Sequence, residues 1–406
     1  MILLSHPTGS EFVREAVAAF EQAGLLAEFW TTINWDPDSK LNRFLPPSIR
    51  DLFVRRSFPK SVRHRTHTVP FRETVRLFAG QVGFSPKHEK GIFSIDAVLR
   101  ELDRKVGQRL AQVQNCDLIY AYEDGALESF RAAADRQIAR LYDLPIGYWR
   151  VGQRIFAEER ERQPEWADTL TGARDSAEKL ARKDEELKLA QRVIVASTFT
   201  RETLREAPIA TKIDIIPYGA PPPISSEIRE SSGRLRVLFA GALGQRKGLS
   251  YLLDAIAMLK DSTELTLLGR KTAANCRPLE SAVRKHRWIP SLPHAGMLRE
   301  MQNHDVLVFP SLFEGFGLVV LEAMAQGTPV IATPHTCGPD VITDGADGFI
   351  VPIRSSHAIA EKLTLLLRDR DRLAAMKQAA RDKAASHQWQ NYRQRLVAVA
   401  QELMAR

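Results

Sequence analysis

The chain has 406 residues, of which 44% are hydrophobic and 26% charged, and its formal net charge is +8. This length exceeds one typical core, so we expect two domains. No apolar run reaches the length of about 18 residues that a membrane-spanning helix needs. The three cysteines, Cys116, Cys276 and Cys337, fit neither a disulfide framework nor a zinc site.

The N-terminus begins directly with the strand-like residues 2–5. It lacks the basic region, apolar stretch and cleavage site of a secretory signal. Together with the unpaired cysteines, this predicts a reducing, cytoplasmic location.

Short apolar runs alternate with amphipathic segments in the first half, the pattern of a parallel α/β sheet. We expect a helix between Ser10 and Gly24, another that follows residue 122 and reaches about Leu141, and a charged helix at 177–190. Residues 36–95 are rich in Pro and Arg, and we interpret them as an insertion of short helices and loops. The expected strands are 2–6, 25–33, 117–122, 145–149, 192–197 and 212–217.

Residues 218–235 have the composition of a linker, and a second alternating series follows them. Its strands are expected at 236–242, 265–269, 305–310, 329–333 and 349–351. The fold class is therefore α/β, with two Rossmann-like domains, 1–217 and 236–386, that face each other across a cleft. A last amphipathic helix, 387–406, carries Trp389 as its anchor.

The stretch 305–318 joins a strand to a helix through a Gly-Phe-Gly turn. Ligands of open α/β sheets bind beyond the carboxyl ends of strands, and glycines let a ligand approach the backbone closely. The amides of Phe316, Gly317 and Leu318 are left without helical partners and suit a phosphate. The sequence therefore predicts an anion site at this turn.

Two carboxylates flank these amides. Glu314 precedes them, and Glu322 lies on the following helix, where side chains lean toward the N-terminus. A carboxylate accepts two hydrogen bonds from neighbouring hydroxyls of a sugar or ribose. The alternative is that both are ordinary acidic residues, each stabilised by about 0.3–1 kcal/mol through the helix dipole. The Gly-Phe-Gly turn between them favours ligand binding.

Another strand, 236–242, ends in a glycine-flanked loop that contains Arg246 and Lys247. Carboxylates repel a diphosphate, so a diphosphate site needs cations. Both residues are placed to neutralise the phosphates and the charge that develops on them when a bond to phosphate breaks. The alternative is a solvated basic turn.

The two glutamates, the Arg-Lys-Gly loop and the run Leu-Glu-Ala-Met-Ala-Gln-Gly-Thr-Pro-Val at 321–330 resemble the group 1 (GT4) family of retaining glycosyltransferases, most strongly over 190–352. The resemblance implies a GT-B fold with a nucleoside-diphosphate sugar in the C-terminal domain and an acceptor in the N-terminal one. It also implies that Glu314 contacts the donor sugar and Glu322 the ribose, with Arg270 and the turn 288–290 near the base.

Two positions depart from the family pattern. Ala242 stands where an arginine is common, and 147–150 read Gly-Tyr-Trp-Arg where a histidine is common. Gly9 matches the family loop that approaches the diphosphate from the first domain. Further candidates on the acceptor side, at strand ends that should face the cleft, are His6, Tyr122, Glu123, Asp124, Trp149 and Arg150, and His294 is a candidate in the second half.

The resemblance implies retention by front-face attack, in which the leaving phosphate takes the acceptor proton. In that scheme Lys247, Arg246 and the turn amides stabilise the leaving diphosphate, and Glu314 orients the sugar. We expect no metal and no cofactor. A nucleotide-sugar epimerase, a sugar phosphate synthase of the same fold and a non-catalytic relative remain open alternatives.

Residues 40–76 contain ten lysines and arginines against two acidic residues, a net charge of +8. One interpretation is peripheral contact with an anionic inner-membrane surface, which would present a lipid-linked acceptor. Others are a solvated basic loop and a loop that holds an acidic acceptor such as a phosphorylated lipid or polysaccharide. Interleaved aromatics at base-stacking spacing are missing, so the sequence disfavours nucleic acid.

Overall fold

A computed structural model describes residues 1–81, 88–170, 172, 175–224 and 233–405. The expected linker lies partly outside these residues. Among the described helices, none is long and apolar enough to cross a membrane.

The described part of the first half forms a seven-stranded parallel sheet. In chain order its strands are β1 Ile2–Ser5, β2 Leu26–Thr31, β3 Thr66–Thr68, β4 Leu118–Tyr122, β5 Ala139–Leu144, β6 Arg192–Val195 and β7 Lys212–Ile215. They lie in the order β3-β2-β1-β4-β5-β6-β7. Leu3 and Ile119 pack on one face of this sheet and Leu4 and Tyr120 on the other, so both faces are buried.

The described part of the second half forms a six-stranded parallel sheet. Its strands are β8 Leu235–Ala240, β9 Thr263–Leu268, β10 Arg287–Ile289, β11 Val306–Phe309, β12 Val330–Ala332 and β13 Gly348–Ile350. They lie in the order β10-β9-β8-β11-β12-β13. The chain therefore has two doubly covered sheets, which confirms the expected α/β class.

Helices connect the strands of both sheets. In the first half they are α1 Glu11–Gln22, α2 Pro47–Val54, α3 Phe71–Gln81, α4 Ile95–Leu110, α5 Leu127–Asp135, α6 Trp149–Arg162, α7 Ala177–Leu189 and α8 Thr198–Thr203. In the second half they are α9 Leu249–Leu259, α10 Arg277–Lys285, α11 His294–Gln302, α12 Val319–Ala325, α13 Gly338–Val341, α14 Ser356–Arg368, α15 Arg370–Ala385 and α16 Trp389–Met404.

The expectation for 123–149 was wrong. The helix after β4 ends at Asp135, and residue Gln137 then takes a left-handed conformation with φ of 57°. The next strand is β5, whose last four residues are buried, rather than 145–149. Pro145 has no amide to donate to a ladder, so β5 ends before it. Trp149 begins helix α6.

Other elements were missed. Strand β3 pairs with β2 at the sheet edge inside the expected insertion, and the long helix α4 follows that insertion. The expected turn at 288–290 is largely strand β10, which pairs with β9. Both strands have three residues, too short for an alternating pattern to reveal them.

Helix α6 packs on the second half, although it belongs to the first half in sequence. Its residues Ile155 and Phe156 share a core cluster with Leu249 and Leu252 of α9. The first and second halves are thus joined by apolar packing as well as by the chain.

The last helix, α16, packs against α1. Arg393 Nε lies 3.2 Å from Glu15 Oε2, and Tyr392 and Leu396 are buried in a cluster that also contains Phe20. The end of the chain thus contributes to the core beside the first sheet.

Replacing Leu396 with alanine should lower the free energy of unfolding by roughly 2–5 kcal/mol, because it removes a fully buried side chain from this contact. The exposed Gln394 on the same helix is the control, and Gln394→Ala should change it by less than about 0.5 kcal/mol. Denaturant unfolding measures both. Equal stability of Leu396→Ala and wild type would contradict this packing.

Candidate functional site

A cavity of 360 Å³ lies between the two halves, at the carboxyl ends of β8 and β11. These strands are neighbours in the second sheet, so the loops that follow them meet at one edge. The lining residues include Phe12, Pro145 and Ile146 from the first half, Tyr218 at the start of the expected linker, and Gly241, Arg246, Lys247, Phe309, Glu314, Phe316, Gly317 and Leu318 from the second half.

One carboxylate oxygen in this cavity is shared by two cations. Lys247 Nζ donates to Glu314 Oε1 at 2.5 Å, and Arg246 Nη1 donates to the same oxygen. Arg246 also donates to the carbonyl oxygen of Phe313 at 2.9 Å, and Lys247 Nζ lies 4.6 Å from the centre of the Phe309 ring. The predicted cations and the predicted carboxylate therefore form one cluster with a net positive charge.

Burial sets the electrostatics of this cluster, since Lys247 and Glu314 are each only 9% exposed. Burial lowers the pKa of Lys247 to about 8; Glu314 opposes the shift and Arg246 adds to it. Burial alone would raise the pKa of Glu314, but Lys247 and Arg246 outweigh it and hold that pKa below its usual value. Both groups are charged at neutral pH.

The turn before α12 depends on a glycine. Gly317 has φ of 89°, and a Cβ atom there would lie 2.6 Å from Cε1 of Phe309. The amides of Phe316, Gly317 and Leu318 donate no hydrogen bond to any described acceptor. The three residues line the cavity beside the cations, and anion binding by their amides stays a prediction.

Glu322 lies on α12 but does not line this cavity. Its Oε1 is 3.0 Å from Nε2 of His294, at the start of α11, and this hydrogen bond raises the pKa of His294. Arg270 is exposed directly after β9, and its carbonyl oxygen accepts from the amide of Leu243 at 2.9 Å. The ligand contacts of Glu322 and Arg270 stay predictions.

The Gly9 turn is packed against another part of its own chain. A Cβ atom at Gly9 would lie 2.8 Å from the carbonyl oxygen of Arg55, which also accepts from Arg14 Nη2 at 2.9 Å. His6 Nδ1 lies 2.7 Å from Thr8 O and 3.0 Å from Thr8 N. Burial lowers the pKa of His6 to about 4, so this imidazole is neutral at pH 7.

The remaining acceptor-side candidates do not line the cavity that holds the ion cluster. Tyr122 is 3% exposed, and its ring centre is 4.6 Å from that of His6. Trp149 Nε1 and Arg150 Nη2 donate to the carboxylate of Asp184 at 2.8 and 2.9 Å, and neither residue lines the cavity. Their roles toward an acceptor stay predictions.

Lysine and carboxylate side chains form a second charged cluster, which the sequence did not reveal. Lys183 Nζ lies 3.6 Å from both Glu123 Oε1 and Asp124 Oδ2 and 3.1 Å from Asp175 Oδ2. Burial raises the pKa of Glu123 to about 7, although Lys183 opposes the shift. Glu123 and Asp124 are recognisable in the sequence as strand-end residues, but nothing there identifies their partners on and before α7.

Residues of the first half hold the Glu314 loop in place. Ser197 Oγ and Thr200 Oγ1 donate to the carbonyl oxygen of Gly315 at 2.5 and 2.9 Å. A Cβ atom at Gly315 would lie 1.7 Å from the carbonyl oxygen of Pro145, so only glycine permits this approach. No sequence pattern indicates these contacts, because over 100 residues separate the partners.

Among the described residues, no group of three or more His, Cys, Asp or Glu side chains is placed to hold a metal ion. Metal independence of the site stays a prediction.

Pyrophosphate should bind this cluster less tightly as the pH rises through about 8, because Lys247 is charged below its pKa and neutral above it. Calorimetric titrations from pH 6.5 to about 9.5 measure the affinity. Lys247→Arg is the matched control, since arginine stays charged over this range and the ligand titrates identically with both proteins. Parallel pH profiles for the two proteins would refute the role of Lys247.

The model of the family described as glycosyl transferases group 1 matches residues 223–383. A phosphatidyl-myo-inositol mannosyltransferase of Mycobacterium leprae is 37% identical over 139 residues, which are 33% of this chain and 37% of that protein. A D-inositol 3-phosphate glycosyltransferase of Corynebacterium urealyticum is 36% identical over 179 residues, 41% of this chain and 42% of that protein. The chain thus spans less than half the length of these curated relatives.

Solved structures match the whole chain at low identity. Sucrose-phosphate synthase from Thermosynechococcus elongatus gives a TM-score of 0.70 at 20% identity, and the match covers 100% of this chain and 99% of that protein. Anabaena HepE in complex with UDP and glucose gives 0.64 at 16% identity, covering 98% and 99%. These likenesses confirm the GT-B arrangement of two facing sheets. The match to the family of group 1 glycosyl transferases covers residues 223–383, most of the second half of the chain.

Proposed function

We propose that this protein is a glycosyltransferase that moves a sugar from a nucleoside-diphosphate sugar to an acceptor, with retention of anomeric configuration. The observation that carries the proposal is the Glu314 carboxylate shared by Lys247 and Arg246 in a cavity between two sheets. The solved structure of HepE is a complex with UDP and glucose, which supports a nucleoside diphosphate as the leaving group here.

The cluster suits both ends of such a donor. In the structure, Glu314 pairs with the buried Lys247 and the partly buried Arg246. A diphosphate offers them stronger, doubly charged partners, and Glu314 is then available to accept hydrogen bonds from sugar hydroxyls. The same cations stabilise the charge that grows on the leaving phosphate, so their contribution is largest in the transition state.

Retention follows from attack on the face that the diphosphate leaves. The acceptor oxygen forms the new bond to the anomeric carbon as the bond to phosphate breaks. The acceptor proton passes to the departing phosphate oxygen, so no enzyme nucleophile is needed. An epimerase, a sugar phosphate synthase or a non-catalytic binding protein would use the same anion site, and the products distinguish them.

Glu314→Gln and Lys247→Ala should each lose most transfer activity. The first removes the carboxylate that accepts hydrogen bonds from the donor sugar, and the second removes a cation that binds the diphosphate. Lys285→Ala, an exposed lysine on α10, is the control and should match wild type. Release of nucleoside diphosphate and of labelled glycoside from a panel of donors, with and without EDTA, measures transfer. A wild-type rate for Lys247→Ala on the true donor would remove the basis of the proposal.

We further propose that the acceptor is lipid-linked and that residues 40–55 dock on an anionic membrane. Five of the ten cations in 40–76 are neutralised by ion pairs: Arg56 and Arg76 with Glu73, Lys60 with Asp38, Arg63 with Asp36, and Arg72 with Glu101. Lys40, Arg43, Arg50 and Arg55 are exposed and form no ion pair with the side chains that the structure describes.

Apolar side chains are exposed in the same region. The structure describes seven exposed large hydrophobic residues, and six of them lie between residues 44 and 95. Two of the six lie within residues 40–55: Phe44, which is 82% exposed, and Val54, which is 37% exposed. Cations beside exposed aromatic side chains suit an anionic bilayer surface. Arg55 also touches the Gly9 turn, close to Phe12 at the cavity, so this membrane surface would lie near the cleft.

Wild type should co-sediment with anionic vesicles at low salt and separate from them at high salt or with neutral lipid. Arg43→Ser/Arg50→Ser should lose most of this binding, since each cation near the surface contributes about 1 kcal/mol. Lys60→Ser/Arg63→Ser is the matched control, because it removes equal charge from cations already paired with Asp38 and Asp36. Equal losses of vesicle binding in the two variants would indicate that net charge, and not residues 40–55, drives the binding. If wild type does not co-sediment with anionic vesicles, a soluble acceptor is favoured.

A further inference from the structure

We propose that Glu159, on α6 of the first half, is a positioning residue for Arg246 and Lys247. The cations then reach their places only when α6 lies against the second domain. This inference rests on the proposed function, because it assigns those two cations to the donor diphosphate.

Glu159 is completely buried, and all the hydrogen bonds that its carboxylate accepts from described residues come from the second half. The donors are Gln245 Nε2 at 2.8 Å, Tyr251 Oη at 3.0 Å and Arg354 Nε at 2.5 Å. A buried carboxylate is stable only with such partners. Its position therefore fixes the side chains that surround it across the boundary.

Gln245 transmits this contact to the cations. It is fully buried and directly precedes Arg246 and Lys247 in the short 3-10 turn Gln245–Lys247. Its side chain also donates to Ser250 Oγ at 2.8 Å, and its amide donates to Thr169 Oγ1 of the first half at 2.9 Å. The turn is thus held through both its side chain and its backbone.

Gly248, the residue after this turn, packs closely against the end of β11. Gly248 has φ of 66°, and a Cβ atom there would lie 2.1 Å from the carbonyl oxygen of Pro310, at the end of β11. The two cations lie between this close contact and the Glu159 anchor. Small movements of Gln245 are therefore expected to move Lys247 Nζ relative to Glu314, and such displacements weaken a preorganised site.

Glu158 provides the natural comparison. It pairs with Nη1 of the same Arg354 at 2.7 Å, but its side chain is 44% exposed. No hydrogen bond joins it to Gln245 among the described residues. If the glutamates only linked the halves through Arg354, replacing either one would have the same effect. If Glu159 positions the cations through Gln245, only its replacement should weaken the site.

The experiment measures pyrophosphate affinity and its pH profile by calorimetry, below the melting temperature of each variant. Glu159→Gln should bind pyrophosphate about tenfold more weakly. The pH at which binding falls should also move up from about 8, because Lys247 leaves its buried place. Glu158→Gln should match wild type in both measurements. Gln245→Met, which keeps Glu159 paired with Arg354, should reproduce the effect of Glu159→Gln.

Wild-type affinity and an unchanged pH profile in Glu159→Gln, with only a lower melting temperature, would overturn the inference and leave the proposed function intact. Equal losses in Glu158→Gln and Glu159→Gln would also overturn it. Failure of the wild type itself to bind pyrophosphate would instead refute the proposed function. If Glu159→Gln does not fold, the result for Gln245→Met decides.

Discussion

The ion cluster of Glu314, Lys247 and Arg246 is the interaction on which the rest of the site depends. Two adjacent cations in a largely buried position repel each other and lose hydration, so they need an anion between them. Parallel β8 and β11 are neighbours in the sheet, and this topology brings the loop of Gly241–Gly248 to the loop of Phe313–Gly317. Glu314 supplies this negative charge in the structure, and a diphosphate can supply it in place of Glu314.

Residues of the first half also hold the loops of the ion cluster in place. Gly315 is held by Ser197 and Thr200, and a Cβ atom at Gly147 would lie 2.6 Å from the ring of Phe313. Phe313 therefore fits against the first half one residue before Glu314. Glu159 of α6 accepts a hydrogen bond from Gln245 on the other loop, so both loops of the ion cluster touch the first half. The arrangement of the halves is therefore coupled to the geometry of the site.

The sequence was sufficient for the fold class and for most strands, because buried parallel strands read as apolar runs between helices. The sequence did not predict β5, because its apolar residues follow those of α5 almost directly. It also did not predict β3 and β10, which are too short to show an alternating pattern. Within the site, glycines and charges adjacent in sequence pointed to Arg246, Lys247, Glu314 and the turn amides. Glu159 and Ser197 could not be found in this way, since their partners lie far along the chain and depend on how the halves pack.

A crystal structure with a bound nucleoside diphosphate tests most directly whether the ion cluster is the diphosphate site. We expect phosphate oxygens within hydrogen-bond distance of Lys247 Nζ and of the amides at 316–318, with Glu314 released from at least one of its cations. A diphosphate bound elsewhere on the protein, with Glu314 still paired to both Lys247 and Arg246, would contradict this assignment.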